Sequence, residues 1–115
     1  MALNDIVGTS TVKSQTTLAP TPGATINLTV VAGQATVAKW TAGEAETVNI
    51  SSGTPSIGDE FTAIIVNDGT LARTITFGTL LTSVGVAIGV LNKTTIIKFV
   101  GDGSGFIEAS RTVGI

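Results

Sequence analysis

The stretch from Asp59 to Arg111 constrains the fold more than any other part of the sequence. It contains two apolar runs rich in β-branched residues, Phe61–Val66 and Lys93–Val100, and each run leads into an Asp-Gly turn, at Asp68-Gly69 and at Asp102-Gly103. β-Branched residues favour strands, and Asp and Gly accept the backbone angles of tight turns. The stretch therefore predicts two hairpins within an all-β domain, with Phe61–Val66 as a central strand that is covered on both sides.

The preceding residues add strands of the same kind. In the segment 24–31, Ile26, Leu28 and Val30 alternate with polar residues, which is the period of a half-buried strand. The segment 84–91 has a glycine every four residues, so a helix is possible, but glycine weakens a helix and we favour an irregular strand with bulges. We predict eight strands and no helix, over residues 24–31, 34–40, 46–51, 61–66, 73–78, 84–91, 93–100 and 106–113. Their spacing of roughly ten residues predicts an antiparallel β-sandwich or jelly-roll-like barrel over residues 24–115.

Residues 1–23 form a separate region with little pattern, and we predict an extended N-terminal arm there. The region is rich in Thr, Ser and Ala, and Pro20 and Pro22 near its end disfavour a helix. It is either a disordered tail or an arm that becomes ordered on a neighbouring subunit or partner. In the second case its apolar residues are the predicted anchors: Leu3, Ile6, Val7, Val12 and Leu18.

The low share of charged residues predicts a homo-oligomer. Only 12% of the 115 residues are charged, which leaves a surface of Thr, Ser, Asn and Gly. Such a surface is poorly protected against association, so we expect other subunits or partners to cover much of it. The net charge is −2 and the six basic residues are scattered, which argues against a nucleic-acid partner. No apolar run reaches the ~18 residues of a membrane span, and the first residues lack the features of a signal peptide, so we expect neither membrane association nor secretion.

The sequence offers little for catalysis, and we predict that the protein is not an enzyme and holds no cofactor or metal. It lacks cysteine and histidine, which removes thiolate chemistry and the commonest general base. Asp59 and Glu60 are adjacent carboxylates, but neighbours on a strand point to opposite faces. Asp68 and Asp102 lie on glycine-rich turns that suit calcium, yet neither turn has the spaced carboxylates of a calcium loop. The run 101–105 (GDGSG) resembles a phosphate loop, but a strand is predicted after it where such a loop needs a helix.

Trp40 is the one tryptophan, and it has two possible roles. It ends a predicted strand, where it either belongs to the core or forms a lid on the sandwich. Tryptophan is also enriched among the residues that contribute most to protein interfaces. We therefore include Trp40, with the anchors of the arm, among the candidate partner-binding residues.

From Lys39 onward the sequence resembles a β-rich domain of tailed-bacteriophage virion proteins. In that family a hairpin with the pattern DGT…RTITFG is followed by a second one with the pattern K…FVSDGTNWYE.SR. The matches to the first are Asp68, Gly69, Thr70, Arg73, Thr74, Ile75, Thr76, Phe77 and Gly78. The matches to the second are Lys93, Phe99, Val100, Asp102, Gly103, Phe106, Glu108, Ser110 and Arg111. This sequence has GSGF where TNWY is commoner, so Phe106 alone remains of an aromatic pair.

The resemblance implies a structural role in the virion. Members of the family serve as capsid decoration or cement proteins, or as parts of tail fibres and spikes, often as trimers. Fibre copies usually lie within longer chains, and the present length favours a decoration protein. The expected partners are the major capsid protein and further copies of the chain in a trimer. The expected location is the outer capsid surface, after synthesis in the host cytoplasm. The alternative is a head- or tail-fibre or spike module that binds a host receptor or glycan.

Overall fold

A computed structural model describes residues 14–115, and these residues form ten strands and no helix. The all-β prediction is therefore confirmed. The strands are β1 (Gln15–Leu18), β2 (Thr25–Thr29), β3 (Ala35–Ala42), β4 (Glu46–Ser52), β5 (Glu60–Asn67), β6 (Thr74–Phe77), β7 (Leu81–Thr82), β8 (Ala87–Ile88), β9 (Thr94–Gly101) and β10 (Phe106–Thr112).

Successive strands alternate between two sheets. The odd-numbered strands and β10 form a six-stranded sheet in the order β1-β3-β5-β9-β10-β7. The remaining even-numbered strands form a four-stranded sheet in the order β2-β4-β6-β8. The chain thus passes from one sheet to the other at nearly every connection and stacks each new strand beside an earlier one. This is a solenoid-like stacking of coils.

The pairing direction corrects the predicted antiparallel sandwich or jelly-roll-like barrel. The pairs β1·β3, β3·β5, β2·β4, β4·β6 and β7·β10 are parallel, and only β5·β9, β9·β10 and β6·β8 are antiparallel. Alternation of apolar and polar residues is the same in parallel and antiparallel strands that bury one face. The sequence pattern therefore identified strands without identifying their neighbours.

The first predicted hairpin is wrong for a local reason. Asn67, at the end of β5, donates from its side chain to the carbonyls of Asp68 and Leu71, and its oxygen accepts the N–H of Arg73. These bonds, of 2.7–2.8 Å, fold residues 68–73 into a compact loop that directs the chain to the other sheet. The second predicted hairpin is confirmed, because β9 and β10 pair antiparallel through the turn at residues 102–105.

The core lies between the two sheets and contains the residues that the alternation pattern selected. Ile26, Leu28 and Val30 are buried, and Phe61, Phe99 and Phe106 form an aromatic centre. The ring centroids of Phe61 and Phe99 lie 5.5 Å apart, and those of Phe61 and Phe106 lie 5.7 Å apart. β5 is central in its sheet, as expected, with one fully buried face and one half-buried face.

Two predicted regions differ from expectation. The segment 84–91 contains only the two-residue strand β8 and otherwise runs as turns and irregular chain. The predicted arm of residues 1–23 includes β1, which pairs in parallel with β3 from Gln15↔Ala35 to Leu18↔Ala38.

Candidate interaction surfaces

Of the candidate partner-binding residues, Leu3, Ile6, Val7 and Val12 lie outside the described residues. Leu18 is the last residue of β1 and packs, partly buried, against the core. Trp40 lies in β3 with 4% of its surface exposed. The structure therefore places Leu18 at the first coil and Trp40 inside the domain, and does not bring the two to one exposed site.

The first coil ends in an apolar groove between the two sheets. A cavity of about 230 Å³ opens there. It is lined by Leu18, Ala19, Pro20, Asn27, Leu28 and Thr29. β1 and β2, which flank it, are the edge strands of their sheets. The sequence carries no charged residue from 14 to 38, so the charges that usually protect an edge strand from pairing are missing here.

The edge of β2 offers backbone hydrogen bonds to a further strand. The carbonyl of Ala24 accepts the N–H of Thr47, and the N–H of Val30 donates to Ser52, so the even-numbered residues turn their peptide groups toward β4. Peptide groups alternate in direction along a strand. Those of Thr25 and Asn27 therefore point away from β4, to the open edge, and a strand placed there would extend the four-stranded sheet.

Trp40 and Glu46 form a buried polar pair near the middle of the stack. The Trp40 indole donates a 2.7 Å hydrogen bond to one carboxylate oxygen of Glu46. The other oxygen of Glu46, also buried, has no partner in hydrogen-bond geometry. Burial raises the pKa of the Glu46 carboxyl, and the bonds from Trp40 and from the Gly23 backbone only partly oppose that effect. The pair gives Trp40 a role inside the fold.

The adjacent carboxylates of Asp59 and Glu60 do not face each other. Asp59 is 1% exposed, and one of its oxygens accepts the N–H groups of Gly33 and Ser56 at 2.8 Å each. Glu60 is exposed on the strand that follows. Asp59 thereby joins the turn between β2 and β3, where Gly33 has φ +84°, to the loop before β5. The arrangement is a structural bond between two loops.

The two turn aspartates are held by groups of their own loops. Both carboxylate oxygens of Asp68 accept from the Arg73 guanidinium, at 3.0 and 2.7 Å, and this lowers the pKa of Asp68. One oxygen of Asp102 accepts the N–H groups of Ser104 and Gly105, and these bonds lower the pKa of Asp102. Within residues 14–115 no three carboxylates gather into a possible metal site.

A β-bulge creates an ion pair that the spacing of the sequence conceals. In the pairing of β10 with β9, Ser110 lies opposite Lys98 and Glu108 opposite Phe99, so Ala109 is an extra residue. The extra residue brings Glu108 and Arg111 to the same face, although residues three apart on a regular strand point to opposite faces. Their side chains form two hydrogen bonds of 2.8 Å, which lower the pKa of Glu108 and raise that of Arg111.

The same pair fixes the loop before β8. The Arg111 guanidinium donates to the carbonyls of Gly85 and Val86 at 2.9 Å, and Glu108 accepts the N–H of Val84 at 3.2 Å. The loop therefore has a defined position beside β10 despite its glycines. Its aliphatic side chains, discussed below, are exposed.

Comparisons with protein-family models, with curated proteins and with solved structures gave no match for this chain. In the part of the chain that the structure describes, no helix has the length and apolar character needed to cross a membrane.

The sequence reasoning missed two surfaces. The open edge at β1 and β2 requires knowledge of the strand order, which the sequence did not reveal. The aliphatic row in the segment 84–90 was visible as valines and isoleucine at every second position, but the glycines between them drew the interpretation toward bulges.

Proposed function

We propose that this protein is a structural virion protein that decorates the outer surface of a phage capsid and stabilises the shell. The observation that carries the proposal is the uncharged, open end of the stack at β1 and β2, with its apolar groove. Such an end is suited to binding a chain segment through backbone bonds and aliphatic contacts. The sequence resemblance to phage virion domains supplies the choice of partner, the major capsid protein.

The residues that carry the resemblance have structural roles in the fold. Asp68 and Arg73 close the loop between β5 and β6, Asp102 closes the turn before β10, and Glu108 and Arg111 hold the loop before β8. These residues support a shared domain type more directly than a shared binding site. Binding is therefore assigned to the edges and to the exposed apolar residues, with no catalytic role.

The proposed mechanism is the bridging of neighbouring capsid subunits. A homotrimer would sit where subunits meet, and residues 1–13, which precede β1, would reach a neighbouring molecule from the open end. At roughly 25 cal/mol per Å² of apolar area removed from water, a modest contact repeated over the shell resists outward pressure. The protein would be made in the host cytoplasm and added to the capsid there.

The test is binding to purified capsids, immature and expanded, measured by co-sedimentation, together with the melting temperature of the particles. We expect saturable binding and a higher melting temperature of the decorated shell. Deleting residues 2–13 retains β1 and should weaken binding while leaving the circular dichroism spectrum of the domain unchanged. Absence of binding to either capsid form would refute the capsid role, and unchanged binding of the deletion variant would remove residues 2–13 from the mechanism.

One observation favours a second candidate, a fibre or spike module that binds a receptor or glycan. Stacked coils extend along one axis, and further coils or subunits can be added at an open end. A glycan array and a host-cell binding assay separate the two roles, because a decoration protein should give no saturable signal in either.

A further inference from the structure

The segment 84–90 presents its large aliphatic residues to solvent and its small ones to the domain. Val84, Val86, Ile88 and Val90 are all exposed, and Val84 is exposed to 80%. Ala87 between them is buried, and the other intervening positions are Gly85 and Gly89. Alternation of this kind places one set of side chains on one face. Here the apolar face is the outer one, the reverse of the arrangement in β2, β4, β5 and β9.

The C-terminal residues lie against this row. Thr94 and Ile115 exchange two backbone hydrogen bonds, of 2.8 and 2.9 Å. Gly114 packs so closely on Val90 that a β-carbon added there would lie 2.9 Å from a Val90 methyl group. Val113 and Ile115 on either side of Gly114 are exposed. We call the six residues Val84, Val86, Ile88, Val90, Val113 and Ile115 the C-terminal apolar patch.

The patch has the size and the order of an interface centre. With roughly 100 Å² of apolar surface per large aliphatic side chain, the exposed fractions of the six amount to about 300 Å². Apolar patches of about 300–600 Å² are often functional. The Arg111 and Glu108 bonds to residues 84–86 fix part of the patch in place, so little ordering is required when a partner binds.

The charge distribution indicates which partner the patch fits. No charged residue occurs from 74 to 92, and the ionic side chains at its border, Arg111 and Glu108, are already paired with each other. A charged partner would thus gain nothing from the patch. An uncharged aliphatic row is best covered by another such row, and every further copy of this chain supplies one.

We propose that the C-terminal apolar patch is the surface through which copies of this chain associate with one another. The edge of β8, the last strand of the four-stranded sheet, lies within the patch and can take part in the contact. The inference deepens the oligomeric part of the proposed function, and it does not depend on the capsid as partner.

The test measures the mass of the full chain in solution by sedimentation velocity across a concentration series. We expect the wild type to be an oligomer with a measurable dissociation constant. Ile88→Asp should raise that constant at least tenfold, because it places a charge in the apolar centre. Val84→Thr, which keeps the shape and removes only apolar character, should raise it by a smaller factor of a few.

The matched control is Ile57→Asp. Ile57 is 80% exposed, as is Val84, but it lies beside Gly103, at the opposite end of β9 from Thr94. Its dissociation constant should equal that of the wild type, and circular dichroism of all variants should show the same fold. A monomeric wild type overturns the proposal, as does an oligomer that resists Ile88→Asp or that dissociates equally in Ile57→Asp. Capsid binding of the same samples is scored separately, so the loss of one function does not mask the other.

Discussion

The two ends of the strand stack are finished in different ways. At the first coil, β1 and β2 leave their outer edges open around an apolar groove, and few side-chain bonds hold the turns. At the last coil, the β9–β10 hairpin, the bulge at Ala109 and the Arg111 guanidinium tie the chain down, and the aliphatic side chains lie on top. One end therefore offers backbone and the other offers side chains.

The difference indicates two kinds of recognition in one small domain. Pairing at an open edge depends on backbone groups and accepts many sequences, which suits contact with a different protein. Packing of an ordered aliphatic row depends on shape and suits contact between identical copies. Stability and binding should consequently respond to different substitutions at the two ends.

The largest effect is expected at the first coil from Asp59→Ala. The change removes an acceptor of two buried hydrogen bonds, from Gly33 and Ser56, and should lower the free energy of unfolding by about 2–4 kcal/mol. Chemical denaturation measures the loss. Hydrogen exchange should show faster exchange at the amides of Gly33 and Ser56, while the amide of Val84 at the other end changes least.

Glu60→Ala is the control for that substitution, since Glu60 is the exposed neighbour on the next position. It should change stability by less than about 0.5 kcal/mol. Equal effects of the two alanine variants, or unchanged exchange at Gly33, would contradict the role of Asp59 in holding the first coil.

A smaller effect is expected at the last coil from Arg111→Met. The variant loses the two bonds to Glu108 and the two to Gly85 and Val86, and should lose about 1–2 kcal/mol of stability near pH 7. The pKa of Glu108 is lowered in the folded protein, so the pair stabilises above the ordinary pKa of 4.5 and this contribution is lost as the pH falls below it. The difference between the variant and the wild type should thus shrink in acid.

Arg73→Met supplies the comparison for Arg111→Met. Its pair with Asp68 is more exposed, so the loss should be smaller, within about 1 kcal/mol. Local hydrogen exchange should increase at Val84 in Arg111→Met and at Thr70 in Arg73→Met. If Arg73→Met proved the more destabilising variant, the last coil would not depend on the Glu108–Arg111 pair in the way proposed.

Much of the fold was readable from the sequence because burial of one face leaves a period of two. Ile26, Leu28 and Val30 in β2 and Ile97 and Phe99 in β9 were assigned to the core from that period, and all five are buried. The pattern holds for any strand with one buried face, so it carries no record of the pairing partner. That record lies in the connections, where Asn67 and Arg73 decide that β5 and β6 belong to different sheets.

The candidate surfaces were less predictable for the same reason. The open edge of β2 exists only because the strand order ends there, and the Glu108–Arg111 pair exists only because Ala109 shifts the register. The exposed row of the segment 84–90 has the alternation of an ordinary buried face, and only its environment shows that the apolar side is the outer one. The resemblance to phage virion domains stays a prediction.

The smallest effect is expected between the two ends, at the Trp40–Glu46 pair. Burial raises the pKa of Glu46 above its ordinary 4.5, so the folded state binds a proton more readily than the unfolded chain. The stability contribution of this group is fully present below pH 4.5 and is lost as the pH rises through the raised pKa. Glu44, whose charge also raises that pKa, and the backbone N–H of Gly23, which lowers it, are unchanged by Glu46→Gln.

Glu46→Gln can keep the 2.7 Å acceptor for the Trp40 indole and places a neutral amide where the second carboxylate oxygen has no partner. A neutral amide costs less to bury than a carboxylate, so the variant should be more stable than the wild type at pH 8, by about 1 kcal/mol. Near pH 4 the two proteins should unfold at the same denaturant concentration. Because the pair lies between the ends, hydrogen exchange at Gly33 and at Val84 should slow together at pH 8. A gain confined to one end would show that the two ends open independently, and a wild type that is the more stable protein at pH 8 would contradict the strain assigned to Glu46.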